Sequence, residues 1–134
     1  MAENGLFTLP SAHDVETTID RMTAVLDAKS VTIFARIDHA AGALSVGLPL
    51  RSAILVIFGN PAAGTPLMQA APTSGIDLPL KALVWQGTDG TTFFTYNDPS
   101  WIAMRHEVGN EARQAVNALS AAMAAFAQHA TSAQ

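Results

Sequence analysis

The 134-residue chain contains no cysteine, which excludes a disulfide framework and thiol chemistry alike. Charge is scarce as well: 7 basic and 11 acidic side chains make 13% of the residues, about half of what a soluble domain usually carries. The only lysines are Lys29 and Lys81, and so few scattered bases cannot form the stripe that phosphate neutralisation needs. No nucleic-acid partner is expected. Met1–Leu9 has neither a basic start nor an apolar core, so it does not read as a secretory signal. No apolar run, Ala53–Phe58 included, approaches the roughly 20 residues of a membrane span. No Asn-x-Ser/Thr sequon occurs. These absences predict a cytoplasmic, bacterial-type protein with no membrane association.

What the chain has in quantity is alanine. Hydrophobic residues make up 49%, of which 25 are alanine and 41 are larger. Those larger side chains suffice for the core of one domain of about 100–150 residues. A net charge of only −4 beside this apolar content excludes disorder. A single domain over residues 1–134 is expected.

Periodicity divides that domain. Phe7–Leu9 reads as a short strand. Ser11 then reads as a helix N-cap, with Asp14 in the capping-box position. Val15, Ile19, Met22 and Leu26 form the stripe of a helix ending near Lys29. Val31–Asp38 alternates, with Val31, Ile33, Ala35 and Ile37 on one face and Thr32, Phe34, Arg36 and Asp38 on the other. Asp38 can cap a short helix over His39–Leu44, closed by Gly47. Ser52–Phe58 reads as a central strand covered on both faces. Asn60-Pro61 is a cap followed by a proline at the first helical position, with helix expected over Thr65–Ala71 and a loop over Thr73–Leu78. Leu80–Trp85 and Thr92–Asn97 flank Asp89-Gly90, a hairpin signal. Asp98-Pro99 opens a helix to about Glu107, and a last helix runs from Glu111 to about Ala127.

The predicted order is β-α-β-α-β-α-β-β-α-α. This is an α/β (α+β) two-layer domain, with a mixed sheet of about five strands and helices packed on it. Between Asn117 and Ala127 the last helix carries no charge, and alanine fills most of its back face. Helix propensity alone accounts for alanine there; close packing against a second subunit does so too, and predicts a homodimer.

Candidate chemistry clusters at element junctions. Asp38-His39 sits where a strand hands over to a helix, and the positive end of the helix dipole favours neutral imidazole there. Such a His39 suits a general base or a ligand contact; simple capping by Asp38 is the plainer reading. Gly59–Thr65 matches the outer frame of a phosphate loop, but Thr65 and Pro66 stand where the lysine and the Ser/Thr belong. Nucleotide hydrolysis is excluded, leaving either an anion held at a helix start or a purely structural turn. Tyr96-Asn97-Asp98 brings a phenol, an amide and a carboxylate together. Tyr96 alternates with Phe94, which suits a core position with the hydroxyl at the rim. Lys81 beside Asp77 suits a surface ion pair. His13, His39, His106 and His129 fall in four separate elements without metal-ligand spacing, so no metal is expected. No G-x-S-x-G nucleophile elbow is present.

Several segments taken together resemble a known family: Ile37-Asp38-His39-Ala40-Ala41-Gly42-Ala43, Phe58-Gly59-Asn60-Pro61, Gly64-Thr65-Pro66-Leu67-Met68, Ala71-Pro72, Asp77-Leu78-Pro79-Leu80-Lys81 and Tyr96-Asn97-Asp98-Pro99. In this order, from Phe34 to Asp98, they are similar to the bacterial family known as domain of unknown function 302. The resemblance implies a two-layer α/β domain that forms homodimers, with C-terminal helices over residues 99–128. It leaves any cofactor unspecified and carries over no catalytic role to any residue.

The leading expectation is a homodimeric small-molecule-binding or sensing domain with a pocket lined by Arg36, Asp38, His39, Asn60, Thr65, Lys81 and Tyr96. One alternative is a small hydrolase or isomerase with His39 as general base, oriented by a carboxylate such as Asp38. The other is a structural interaction module working through the alanine-rich last helix.

Overall fold

Helices begin here where a side-chain oxygen takes up an otherwise unpaired backbone N–H. In the computed structural model, which describes all 134 residues, Asp14 opens α1 (Val15–Ala28), Asp38 opens α2 (His39–Ser45), Asn60 opens α3 (Pro61–Ala70) and Asp98 opens α4 (Pro99–Arg105). The last helix, α5, spans Arg113–Thr131 without a side-chain cap. The five strands are β1 (Leu6–Ser11), β2 (Thr32–Asp38), β3 (Ala53–Gly59), β4 (Leu80–Gln86) and β5 (Thr92–Asn97). A 3-10 turn over Pro72–Ile76 joins α3 to β4.

Two local expectations need correction. Ser11 is not a helix cap. It pairs with Thr92 as the last residue of β1, and its hydroxyl lies 2.7 Å from the Thr18 hydroxyl. The cap is Asp14, which accepts from Thr17 N at 2.8 Å; that backbone N–H holds the Asp14 carboxyl below its usual pKa. Helix α3 starts at Pro61 rather than Thr65, because Asn60 and Pro61 already form a complete helix start.

The five-stranded sheet has the order β1-β5-β4-β3-β2. Every neighbouring pair is antiparallel, where a mixed sheet was expected. Only the β1-α1-β2 passage carries the chain across the sheet, and it sets β1 and β2 at opposite edges. No two parallel strands become neighbours.

One face of the sheet is covered. Ile54, Val56 and Phe58 of β3, Ala82 and Val84 of β4, and Phe94 of β5 are buried beneath Ile19, Met22 and Leu26 of α1 and Met123 and Phe126 of α5. Apart from Ala82, each such side chain contributes about 1.5–3 kcal/mol on leaving water. Strand β3, an inner strand beside the β2 edge, is therefore buried on this face and only half-buried on the other, not enclosed on both.

Edge strand β2 does not keep one alternation. Ile33 pairs with Phe58 but Ala35 pairs with Ile57, so Phe34 is an extra, bulged residue. Beyond the bulge the faces exchange. Arg36 and Asp38 come to the helix side, opposite Val56 and Ile54, and Ala35 and Ile37 turn to the other face.

Candidate functional site

An apolar cavity of about 320 Å³ opens where β3 ends. Gly59-Asn60-Pro61 turns the chain from β3 into α3, so the first turns of α3 form one wall through Ala63, Gly64, Thr65 and Met68. Leu78 and Pro79 form a second wall just before β4. Leu119, Ala122, Met123 and Phe126 of α5 close the third side, and the bulged Phe34 closes the fourth. A cavity of this size falls within the range of ligand sites.

Its lining is almost wholly apolar. Asn60 and Thr65 supply the polar side chains at the mouth. Asn60 Oδ1 accepts from Ala63 N at 2.9 Å, which leaves the side-chain amide as a donor. Both residues are solvent-exposed. An anion held by backbone N–H groups finds little here: Pro61 has none and that of Ala63 is taken by Asn60.

The seven residues expected to line one pocket do not converge. Asn60 and Thr65 belong to the cavity. Arg36, Asp38 and His39 lie at the far end of β2, where Asp38 pairs with Ile54 while Thr32 pairs with Gly59. Six residues of strand separate the two ends by about 20 Å. Arg36 is committed to Glu16 at 2.8 Å on the surface. Asp38 Oδ1 accepts from Ala41 N at 2.9 Å as the α2 cap. His39 is exposed and joins neither a carboxylate nor any other partner, so the imidazole–carboxylate pair that a His39 base requires is not assembled.

Lys81 and Tyr96 stand on opposite faces of the sheet, because Ala82, not Lys81, pairs with Tyr96. Tyr96 is buried beside Phe7 and Phe94, with ring centroids 5.4 and 6.0 Å away. Burial raises its phenol pKa, and the Asp98 carboxylate adds to the effect. Lys81 Nζ reaches the Asp77 carbonyl at 3.4 Å and not its carboxylate.

A different histidine has the carboxylate. His106 Nε2 lies 2.5 Å from Asp77 Oδ2, and its Nδ1 lies 2.9 Å from Thr73 Oγ1. Arg105 donates to both Asp77 oxygens at 3.1 Å. Nothing in the local sequence signals this set, since Asp77 and His106 are 29 positions apart. The cavity does not include Thr73, His106 or Asp77; the cluster fastens the wall that carries Leu78 and Pro79. No group of three or more His, Asp or Glu side chains is placed to hold a metal ion. No helix is long and apolar enough to cross a membrane.

Comparison with known proteins fixes the family. Residues 7–126 match the model described as "Domain of unknown function DUF302". The chain belongs to the DUF302 family. The crystal structure of the uncharacterized conserved protein DUF302 from Bacillus stearothermophilus has the same fold, with a TM-score of 0.83 over 94% of this chain and 98% of that chain at 16% identity. The family match extends past the Phe34–Asp98 segments into β1, α1 and α5, the elements that bury the core. Two curated relatives are also similar: "Fluoride-specific ion channel FluC 1" of Brucella suis and of Brucella abortus, each 44% identical over 117 residues. The match covers 87% of this chain but only 46% and 43% of those proteins. The DUF302 chain thus spans less than half the length of these curated relatives.

Proposed function

We propose that this DUF302 domain is a homodimeric small-molecule-binding domain whose ligand is compact and mostly apolar, with one hydrogen-bond acceptor. The observation behind this is the cavity at the end of β3: apolar walls from four segments, with the Asn60 amide and the Thr65 hydroxyl at its mouth. Burying apolar ligand surface there gains about 25 cal/mol per Å². The two mouth groups favour a ligand whose acceptor stays near solvent. The neutral fluorophore N-phenyl-1-naphthylamine is the probe. Its emission should rise saturably with the wild-type protein and not with Ala122→Phe, which fills the cavity from α5. Equal binding by both proteins, or none by the wild type, overturns the reading. Native mass spectrometry of protein taken directly from its host should then give the mass of the natural ligand.

A second reading rests on the Brucella relatives. Their names assign them a fluoride-specific channel, and the segment similar to this chain is a minor part of each. A ligand-binding domain joined to a channel is placed to make conduction respond to that ligand. In this reading the DUF302 chain is a sensing module for fluoride handling, and loss of its gene should sensitise the host to fluoride. Unchanged fluoride tolerance in the deletion strain counts against it.

A further inference from the structure

The face of the sheet opposite α1 and α5 is left without a second layer. Ladder register assigns it Leu55 and Ile57 of β3, Leu83 and Trp85 of β4, and Phe93 of β5 at its centre. From β1 to β2 this face carries one charged side chain, Lys81. An antiparallel sheet with one solvated face normally alternates apolar inward with polar outward. Here both faces are apolar, and this accounts for much of the charge shortage in the sequence.

The face is also ordered in advance. Trp85 stacks on Phe93 with centroids 4.9 Å apart. Its Nε1 donates to Thr95 Oγ1 at 2.9 Å, and Thr95 Oγ1 lies 2.8 Å from Thr8 Oγ1. Side chains already held in place lose little freedom when a partner docks.

We infer that this uncovered face packs against the same face of a second copy of the chain; the inference rests on the homodimeric half of the reading above. Five strands about 4.8 Å apart and about 20 Å long give a plane of roughly 500 Å². Side-chain relief and the exposed rim residues Leu6 and Ile37 bring this toward the roughly 800 Å² per partner of a standard interface. The solvent face of α5 offers small alanine side chains, such as Ala121 and Ala124, and far less apolar area.

Lys81 selects the orientation. Along β4, the central strand, Leu83 stands midway between Lys81 and Trp85. A two-fold axis in the interface and parallel to β4 sets the two Lys81 ammoniums facing one another. An axis in the interface and perpendicular to β4 at Leu83 sets Lys81 over the partner subunit's Trp85, a cation–π contact in place of a repulsion. The two sheets then form a sandwich about 10 Å apart with their strands nearly aligned.

Sedimentation of the full chain tests this. The wild type should be dimeric at micromolar concentration, and Leu83→Lys monomeric with an unchanged circular dichroism spectrum. Lys81→Glu should dimerise several-fold more weakly. In Trp101→Phe, which leaves Trp85 as the single tryptophan, emission should shift to the red as dilution dissociates the dimer. A monomeric wild type overturns both the dimer and this surface. A dimer that survives in folded Leu83→Lys, or that is lost instead when Leu44 and Leu48, exposed on and just after α2, become lysine, overturns the surface alone. If Leu83→Lys does not fold, the Trp85 emission decides: no change on dissociation overturns the surface.

Discussion

His106 Nε2 lies 2.5 Å from Asp77 Oδ2, and this contact fastens the C-terminal end of α4 to the segment that walls the cavity at the end of β3. The His106 side chain is 7% exposed and that of Asp77 21%, so water replaces the bond poorly. His106→Ala should cost about 1–3 kcal/mol in urea unfolding, the penalty for stranding a hydrogen-bonded partner away from water. Arg105→Ala should cost less than about 1 kcal/mol, because the guanidinium is half-exposed and such pairs are screened. If the cluster holds the wall, His106→Ala also weakens probe binding more than Arg105→Ala does. Equal effects of the two substitutions count against that role.

Tyr96 is the single tyrosine, so its ionisation can be followed by phenolate absorbance without interference. Burial, with Asp98 second, raises its pKa above the ordinary 10.0. The folded state therefore holds the phenolic proton more tightly than the unfolded chain does. This contribution to stability is complete below pH 10 and is lost as the pH rises through the folded-state pKa. The phenolate signal should appear at higher pH in the folded protein than in urea. Tyr96→Phe should flatten the alkaline decline of the urea midpoint.

Much of the fold follows from local chemistry. Asp38, Asn60 and Asp98 act as helix caps because their carboxylate or amide oxygens meet N–H groups two or three residues on. Asp89-Gly90 forms the hairpin turn because Gly90 takes a φ of +89°. The site was less legible, for three reasons. The bulge at Phe34 leaves no compositional mark, yet it moves Arg36 and Asp38 to the helix side. The cavity is made by four segments far apart in sequence, and of these only Gly59–Thr65 stands out in the sequence. Asp38 and His39 stand out in the sequence as polar groups at a strand end, and capping explains the Asp38 carboxylate fully.

Gly5 shows a constraint of another kind. Its φ is +83°, and a Cβ there would stand 2.6 Å from the Trp101 ring. The same residue's carbonyl accepts from Asp98 N at 2.9 Å, so the backbone has little room to shift. Gly5→Ala combines left-handed strain with overpacking and should cost about 2–3 kcal/mol. Gly90→Ala shares the positive φ but meets nothing within 4 Å, and should cost only about 1 kcal/mol. Calorimetry on the two variants separates steric contact from backbone strain.

Phe34 links the bulge to the proposed function. It lines the cavity although 55% of it is exposed, so it contributes more to the site's closure than to the folded core. Truncation at such a position removes little buried area, and Phe34→Ala should change stability by less than about 1 kcal/mol. Affinity for the naphthylamine probe should nevertheless fall by roughly five- to tenfold, the equivalent of about 1–1.4 kcal/mol of lost apolar contact. The fully buried Met123 makes the opposite case: Met123→Ala should cost about 2–5 kcal/mol while enlarging the cavity. A probe that binds Phe34→Ala as tightly as the wild type would show that the fourth wall is not part of the site.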